Sequence, residues 1–164
     1  MLAGLAPDSS RALPLGAHPS NLPAPVSTPN GKTIVVVDDE KSYGDLLSQI
    51  LVDLLGRPVQ SFTHPQAALD ALPKLDVGIV VTDYYMPDMT GVEFIRHASR
   101  LRPELSFLII TGHPLQLSDE YVYDLGALKA VLPKPFSWTK LAQLIARHWS
   151  DPDSRPVPAG SISD

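Results

Sequence analysis

Residues 34–40 read Ile34-Val35-Val36-Val37-Asp38-Asp39-Glu40, and residues 77–83 read Val77-Gly78-Ile79-Val80-Val81-Thr82-Asp83, running on into Tyr84-Tyr85-Met86-Pro87. Each is a short run rich in β-branched residues that stops at a carboxylate. Such a run, too short for an ordinary helix and apolar at both alternating positions, marks a strand covered on both faces in a parallel sheet. Sheets of that kind bind their ligands in the crevice outside the carboxyl ends of the strands. If the two strands are neighbours, Asp38, Asp39 and Asp83 meet in that crevice. Three acids in one pocket repel each other unless a cation or a proton intervenes.

On either side of these runs the pattern alternates. The first strand, 33–37, precedes a helix over 41–55 with Leu46, Leu47, Ile50, Leu51 and Leu54 on one face, stopped by Gly56. Val59 to Phe62 is a short strand, and His64-Pro65 opens a second helix through Ala67, Ala68, Leu69 and Leu72. The third strand is 77–82; Gly91 to Leu101 is a helix with Phe94, Ile95, Ala98 and Leu101 inward; Phe107 to Ile110 is the fourth strand. A weaker helix over 115–125 ends at Gly126, Leu128 to Leu132 is the fifth strand, and a last helix runs from Phe136 to Trp149 with Leu141, Leu144, Ile145 and Trp149 apolar. Strands alternating with helices predict an α/β fold built on a doubly wound parallel sheet. Right-handed crossovers leave few windings, and the flavodoxin-like order 2-1-3-4-5 sets strands one and three side by side.

The totals narrow the class further. A chain of 164 residues with 44% hydrophobic residues can form one ordinary domain with a real core. A net charge of −5 and the lack of any lysine- or arginine-rich run argue against direct nucleic-acid binding. With no cysteine, a disulfide, a thiol nucleophile and a cysteine metal site are excluded. No apolar run approaches a membrane span, and the Met1-Leu2-Ala3-Gly4 start has no signal-peptide pattern, so no membrane association and a cytoplasmic location are expected. Residues 1–30 hold six prolines and no sustained periodicity, which predicts a disordered arm acting as a passive linker. Residues 31–150 form the domain, and 151–164 a flexible tail.

Two further strand ends carry polar groups: strand four runs into Thr111-Gly112-His113, and strand five into Pro133-Lys134-Pro135-Phe136. Taken singly these residues are ordinary: an aspartate after a strand often caps a helix, a threonine often ends a strand, and a lysine is often a solvated charge. His18, His64, His97 and His148 share no ligand spacing, and His113 reads as solvent-facing. Together, the acids, the hydroxyl and the ammonium suit phosphoryl transfer to a carboxylate. Asp83 would be the nucleophile, with Mg²⁺ on Asp39 and Asp83 and Asp38 assisting through water. Lys134 and the metal would neutralise the incoming oxygens, and the Thr111 hydroxyl would bond one of them.

The segment from about 32 to 149 resembles a response-regulator receiver domain through Val-Val-Asp-Asp-Glu at 36–40, Thr-Asp-Tyr-Tyr-Met-Pro-Asp-Met-Thr-Gly at 82–91, Ile-Ile-Thr-Gly-His at 109–113 and Leu-Pro-Lys-Pro-Phe at 132–136. Each piece is weak alone; four in order, each at a strand end, are specific. The resemblance implies that Asp83 is the phosphoacceptor, that Asp38 and Asp39 hold Mg²⁺ together with Asp83, and that the Tyr85 backbone carbonyl completes the metal site. It also implies that Thr111 is the switch hydroxyl, that Lys134 is the family's lysine, and that the Lys134-Pro135 bond is cis. In the family, the positions of Tyr85 and His113 tune the lifetime of the phosphoryl group, so Tyr85 is expected to shield it from water. The chain departs from the pattern at Val131, where the family's switch aromatic normally sits.

The implied function is a two-component phosphorelay switch, a signalling protein whose own chemistry extends at most to self-catalysed phosphorylation and dephosphorylation. The implied partners are a sensor histidine kinase or a histidine phosphotransfer protein. Downstream stands a protein partner at the face of the fourth helix, fifth strand and fifth helix, or a phosphorylation-dependent homodimer. No output domain is expected after residue 149. The alternatives are a receiver detached from a hybrid histidine kinase, suggested by Asn30-Gly31-Lys32 and Arg102-Pro103-Glu104-Leu105, and a pseudo-receiver binding module that is never phosphorylated, suggested by Val131. An aspartyl-nucleophile hydrolase fits poorly, because such enzymes usually place two aspartates one residue apart and Asp38 and Asp39 are adjacent.

Overall fold

The computed structural model of the chain describes residues 31–112 and 125–150. In chain order these form β1 (Thr33–Val37), α1 (Lys41–Leu55), β2 (Val59–Phe62), α2 (Pro65–Ala71) with a 3₁₀ turn at Leu72–Lys74, β3 (Val77–Asp83), α3 (Gly91–Leu101), β4 (Phe107–Thr111), β5 (Leu128–Pro133) and α4 (Trp138–Arg147). The strands pair in parallel throughout, in the order β2-β1-β3-β4-β5. The α/β class and the strand order are those expected from the sequence. The expected arm at 1–30, tail at 151–164 and helix over 115–125 lie outside the described residues, except for Leu125, which is not helical.

The strand runs form this sheet because both of their faces are covered. All seven residues of β3 are buried, and so are Ile34 to Val37 of β1. Successive side chains point to opposite faces, so Val35 and Val37 join α2 and α3 in one core layer, while Ile34 and Val36 join α1 and α4 in the other. Edge strand β2 leaves Gln60 and Ser61 exposed. Phe94 of α3 meets Phe107 of β4 edge to face, with ring centroids 6.4 Å apart, anchoring that helix on the sheet.

Two apolar faces differ from the expected ones. On α1 the buried residues are Gly44, Leu47, Leu51 and Leu55, whereas Leu46 is 51% exposed. The 47-51-55 spacing follows one ridge of the helix onto the sheet, and Leu46 sits about 100° around the helix from it. On α3, Leu101 is the last helical residue and is 52% exposed, while Val92, Phe94, Ile95 and Ala98 are buried. Helix α4 is shorter than expected: Ser137 caps it by accepting from the Lys140 amide, so Phe136 belongs to the preceding loop. Trp149 lies beyond the helix yet stays buried. Gly56 stops α1 in the left-handed conformation.

Candidate functional site

The sheet order places four strand ends side by side. Val37 pairs with Thr82, Asp83 with Ile110, and Thr111 with Pro133. Asp38, Asp83, Thr111 and Lys134 therefore emerge along one edge. The Asp38 amide donates to the Phe62 carbonyl at 3.1 Å, and the Lys134 amide to the Thr111 carbonyl at 2.7 Å, so both flanking loops stay tied to the sheet just past its end.

Lys134 is the hub. Its Nζ donates to Asp83 Oδ1 at 2.9 Å and lies 3.5 Å from Asp38 Oδ2. It also stands over the Tyr43 ring, 3.9 Å from the centroid. The other Asp83 oxygen accepts the Tyr85 amide at 2.8 Å, and Asp38 Oδ1 accepts the Glu40 amide at 2.9 Å. Asp38 Oδ2 is buried without a hydrogen bond, held only by the longer ion contact to Lys134. The Lys134-Pro135 peptide is cis, as expected.

Burial is the main force on the charges here. It pushes the Asp38 carboxyl above the ordinary carboxylate range; the Glu40 amide and Lys134 pull it down, and the charges of Asp83 and Asp39 push it up further. For Lys134, burial works against the charged form but is outweighed by the hydrogen bond and charge of Asp83 and by Asp38, so its ammonium is held above the usual lysine value. Burial likewise pushes the Tyr43 phenol up, against the pull of Lys134.

Not all the predicted residues sit alike. Asp38, Asp83 and Thr111 are buried, whereas Asp39 is exposed. Among the described residues no three acidic or imidazole side chains are gathered closely enough to hold a metal by themselves, so the expected three-acid cluster is in fact a buried pair with Asp39 beside it. Neither Asp38 nor Asp39 caps α1: the N-cap is Glu40, with no side-chain cap bond. Tyr85 is 53% exposed and meets Tyr84 edge to face with centroids 4.6 Å apart. Val131 is half-buried against the α2/α3 core layer. His113 lies outside the described residues.

One residue at the site, Tyr43, went unread in the sequence, and another, Gly91, was read only as the end of a motif and the start of a helix. Gly91 starts α3 so close to the end of β3 that a Cβ there would stand 2.5 Å from the Asp83 carbonyl oxygen, and its amide donates to the Tyr84 carbonyl at 2.8 Å. Tyr43 comes from the first turn of α1; its place four residues after Asp39, at the sheet end where the helix begins, was the available signal. Tyr43, Lys134, Pro135, Phe136 and Trp138 line a cleft of about 350 Å³ beside the acids.

Comparisons with known proteins identify the family and the fold. The response regulator receiver domain family model matches residues 34–146. The transcriptional regulatory protein FixJ of Bradyrhizobium diazoefficiens is 37% identical over 115 residues, covering 68% of this chain and 54% of that protein, so the chain spans about half the length of this relative. The crystal structure of a CheY-like response regulator receiver domain protein from Methanospirillum hungatei superposes with a TM-score of 0.65 at 25% identity, covering 71% of this chain and 91% of that one. The beryllofluoride-activated NtrC4 receiver domain dimer superposes with a TM-score of 0.65 at 29% identity, covering 73% and 97%. The chain belongs to the response regulator receiver domain family of two-component signalling.

Proposed function

We propose that Asp83 accepts a phosphoryl group from a phosphohistidine on a sensor histidine kinase or a histidine phosphotransfer protein, and that the domain then changes its partner binding. The observation that carries this reading is the placement of Lys134 Nζ 2.9 Å from Asp83 Oδ1 and 3.5 Å from Asp38 Oδ2. A fixed cation there stands ready for negative charge brought to Asp83.

An Asp83 carboxylate oxygen forms the new P–O bond as the P–N bond of the donor breaks and its electron pair returns to the imidazole. Asp83 is held for this by the Tyr85 amide on Oδ2 and by Lys134 on Oδ1. Lys134 then follows the added oxygens, and the Thr111 hydroxyl hydrogen-bonds one of them.

Mg²⁺ fits the site, because the buried Asp38 Oδ2 accepts no hydrogen bond and Mg²⁺ needs only one or two carboxylates, with water and backbone oxygen for the rest. Asp38, Asp39, Asp83 and the Tyr85 carbonyl would hold it, and when bound it would neutralise phosphoryl oxygen charge. The domain would work in the cytoplasm. Its output would be a protein partner at the face that includes β5 and α4, or a homodimer such as the NtrC4 receiver forms.

The test is incubation with Mg²⁺ and acetyl phosphate, followed by intact-mass measurement. A phosphoryl adduct on the native chain that is absent in Asp83→Asn is expected. No adduct on the native chain, or one that survives Asp83→Asn, overturns the assignment and leaves the non-phosphorylated binding module as the reading.

A further inference from the structure

Among the described residues, three neighbours of the Lys134 ammonium stand out, and only two of them are carboxylates. The third is the face of Tyr43, 3.9 Å from Nζ to the ring centroid and well within cation–π range. Lysine is a compact charge on a flexible stem, and this side chain is still 27% exposed, so its route out to solvent lies open unless something blocks it. Tyr43 blocks it. The tyrosine ring is itself braced, with its centroid 6.4 Å from that of Trp138, while Trp138 meets Phe136 edge to face at 5.3 Å. Phe136 follows Lys134 and Pro135 in the loop entering α4. Tyr43 of α1, Phe136 of the β5–α4 loop and Trp138 of α4 thus form an aromatic wall of the cleft beside Lys134.

We propose that Tyr43 is a positioning residue for phosphoryl transfer: its ring face holds the Lys134 ammonium against Asp83 and Asp38, so the cation is in place before the phosphoryl group arrives. A cation already aimed where charge develops needs no reorganisation during the reaction. A lysine released to solvent must be ordered again at each turnover, which lowers the rate. The ring face supplies the effect, and the hydroxyl is dispensable to it. This inference rests on the reading of Asp83 as phosphoacceptor.

The experiment compares wild type, Tyr43→Phe and Tyr43→Leu by the rate of adduct formation with Mg²⁺ and acetyl phosphate, a donor too small for altered protein docking to explain a change. Tyr43→Phe is expected to react within about twofold of wild type, and Tyr43→Leu roughly three- to tenfold more slowly, the span a cation–π contact supplies. In parallel, NMR of the wild-type protein is expected to show the Lys134 ε-methylene protons displaced upfield by the ring current, with the displacement kept in Tyr43→Phe and lost in Tyr43→Leu. Absence of that displacement in wild type overturns the clamp even if a variant fails to fold. So does a Tyr43→Leu protein as fast as wild type, or a Tyr43→Phe protein as slow as Tyr43→Leu. If wild type forms no adduct at all while the upfield displacement is present, the phosphoacceptor reading fails and the contact itself stands.

Discussion

The two ends of β3 are built in opposite ways. At its amino end, Trp149 lies in a notch over Gly78, where a Cβ would come within 2.3–2.5 Å of the indole ring atoms. The Ser150 amide bonds the Gly78 carbonyl at 3.0 Å, and the Arg57 guanidinium stands 5.7 Å from the Trp149 ring centroid. At its carboxyl end, Asp83 shares Lys134 with Asp38. One end is close-packed around an aromatic ring; the other crowds two acids around one ammonium. If Asp83 is the phosphoacceptor proposed above, stability and function occupy opposite poles of the same strand, as expected when a site holds like charges that the remaining core must offset.

The largest effects should separate the poles cleanly. Trp149→Ala removes a nearly fully buried ring and is expected to cost about 3–5 kcal/mol in urea unfolding, while the protein that remains folded still takes a phosphoryl adduct. Asp83→Asn is expected to do the reverse, abolishing the adduct without lowering the unfolding midpoint, since it removes one of two neighbouring negative charges. A Trp149→Ala protein that is folded but inert would break the comparison.

Gly78→Ala comes next. Overpacking against the ring is expected to cost about 2 kcal/mol, and the double variant with Trp149→Ala tests the cause. If the clash with the ring is responsible, most of the Gly78→Ala cost disappears once Trp149 is alanine, and the two losses are far from additive.

The carboxyl end was largely legible in the sequence and the amino end was not. Asp38, Asp83, Thr111 and Lys134 are polar residues that end apolar runs, a signal carried by the residues themselves, and the winding rules supply their neighbourhood. The Gly78–Trp149 fit pairs two residues 71 positions apart that have no chemistry in common, so no local pattern announces it. Tyr43 is an intermediate case: it begins a helix at the right end of the sheet, yet nothing local says that its ring faces an ammonium and not solvent. Leu46 and Leu101 misled for a related reason, because helical spacing groups apolar residues without fixing which of them reach the sheet.

The crowding at the carboxyl end also predicts a pH dependence. With metal chelated, the native Asp38 carboxyl has its affinity for protons raised above that of the unfolded chain, chiefly by burial. Its favourable contribution is therefore complete below the unfolded value and is lost as pH rises through the folded one. At neutral pH the charged Asp38 lowers stability, so Asp38→Asn is expected to raise the midpoint at pH 7, with the difference fading in acid. Mg²⁺ should stabilise wild type more than this variant. A lowered midpoint at pH 7 would show the Asp38–Lys134 contact to outweigh burial.

Tyr85 gives a kinetic version of the same contrast. Its amide is fixed on Asp83 Oδ2 while its ring is half in solvent against Tyr84. If that ring keeps water from the phosphoryl group, Tyr85→Ala shortens the adduct's lifetime several-fold and leaves unfolding within about 0.5 kcal/mol of wild type. An unchanged dephosphorylation rate removes the shielding role.

The smallest effect asks whether the carboxyl end is poor in stabilising contacts throughout. Helix α3 begins there with a capping box: the Glu93 amide donates to the Thr90 hydroxyl at 3.2 Å, and the Thr90 amide to the Glu93 carboxylate at 2.8 Å. Thr90→Ala is expected to cost about 1 kcal/mol, and Thr90→Ser much less, because serine keeps the capping oxygen. The Thr90 amide and hydroxyl hold the Glu93 carboxyl below its ordinary range, so its contribution is present above the unfolded value and lost as pH falls through the folded one. The penalty of Thr90→Ala should thus shrink in acid, whereas the gain from Asp38→Asn belongs to neutral pH. Because the cap lies one residue before Gly91, whose amide bonds the Tyr84 carbonyl, a large change in adduct formation in Thr90→Ala would mean that the start of α3 positions Asp83 as well as stabilising the helix. A change of no more than about twofold keeps the cap a purely structural device at the functional pole.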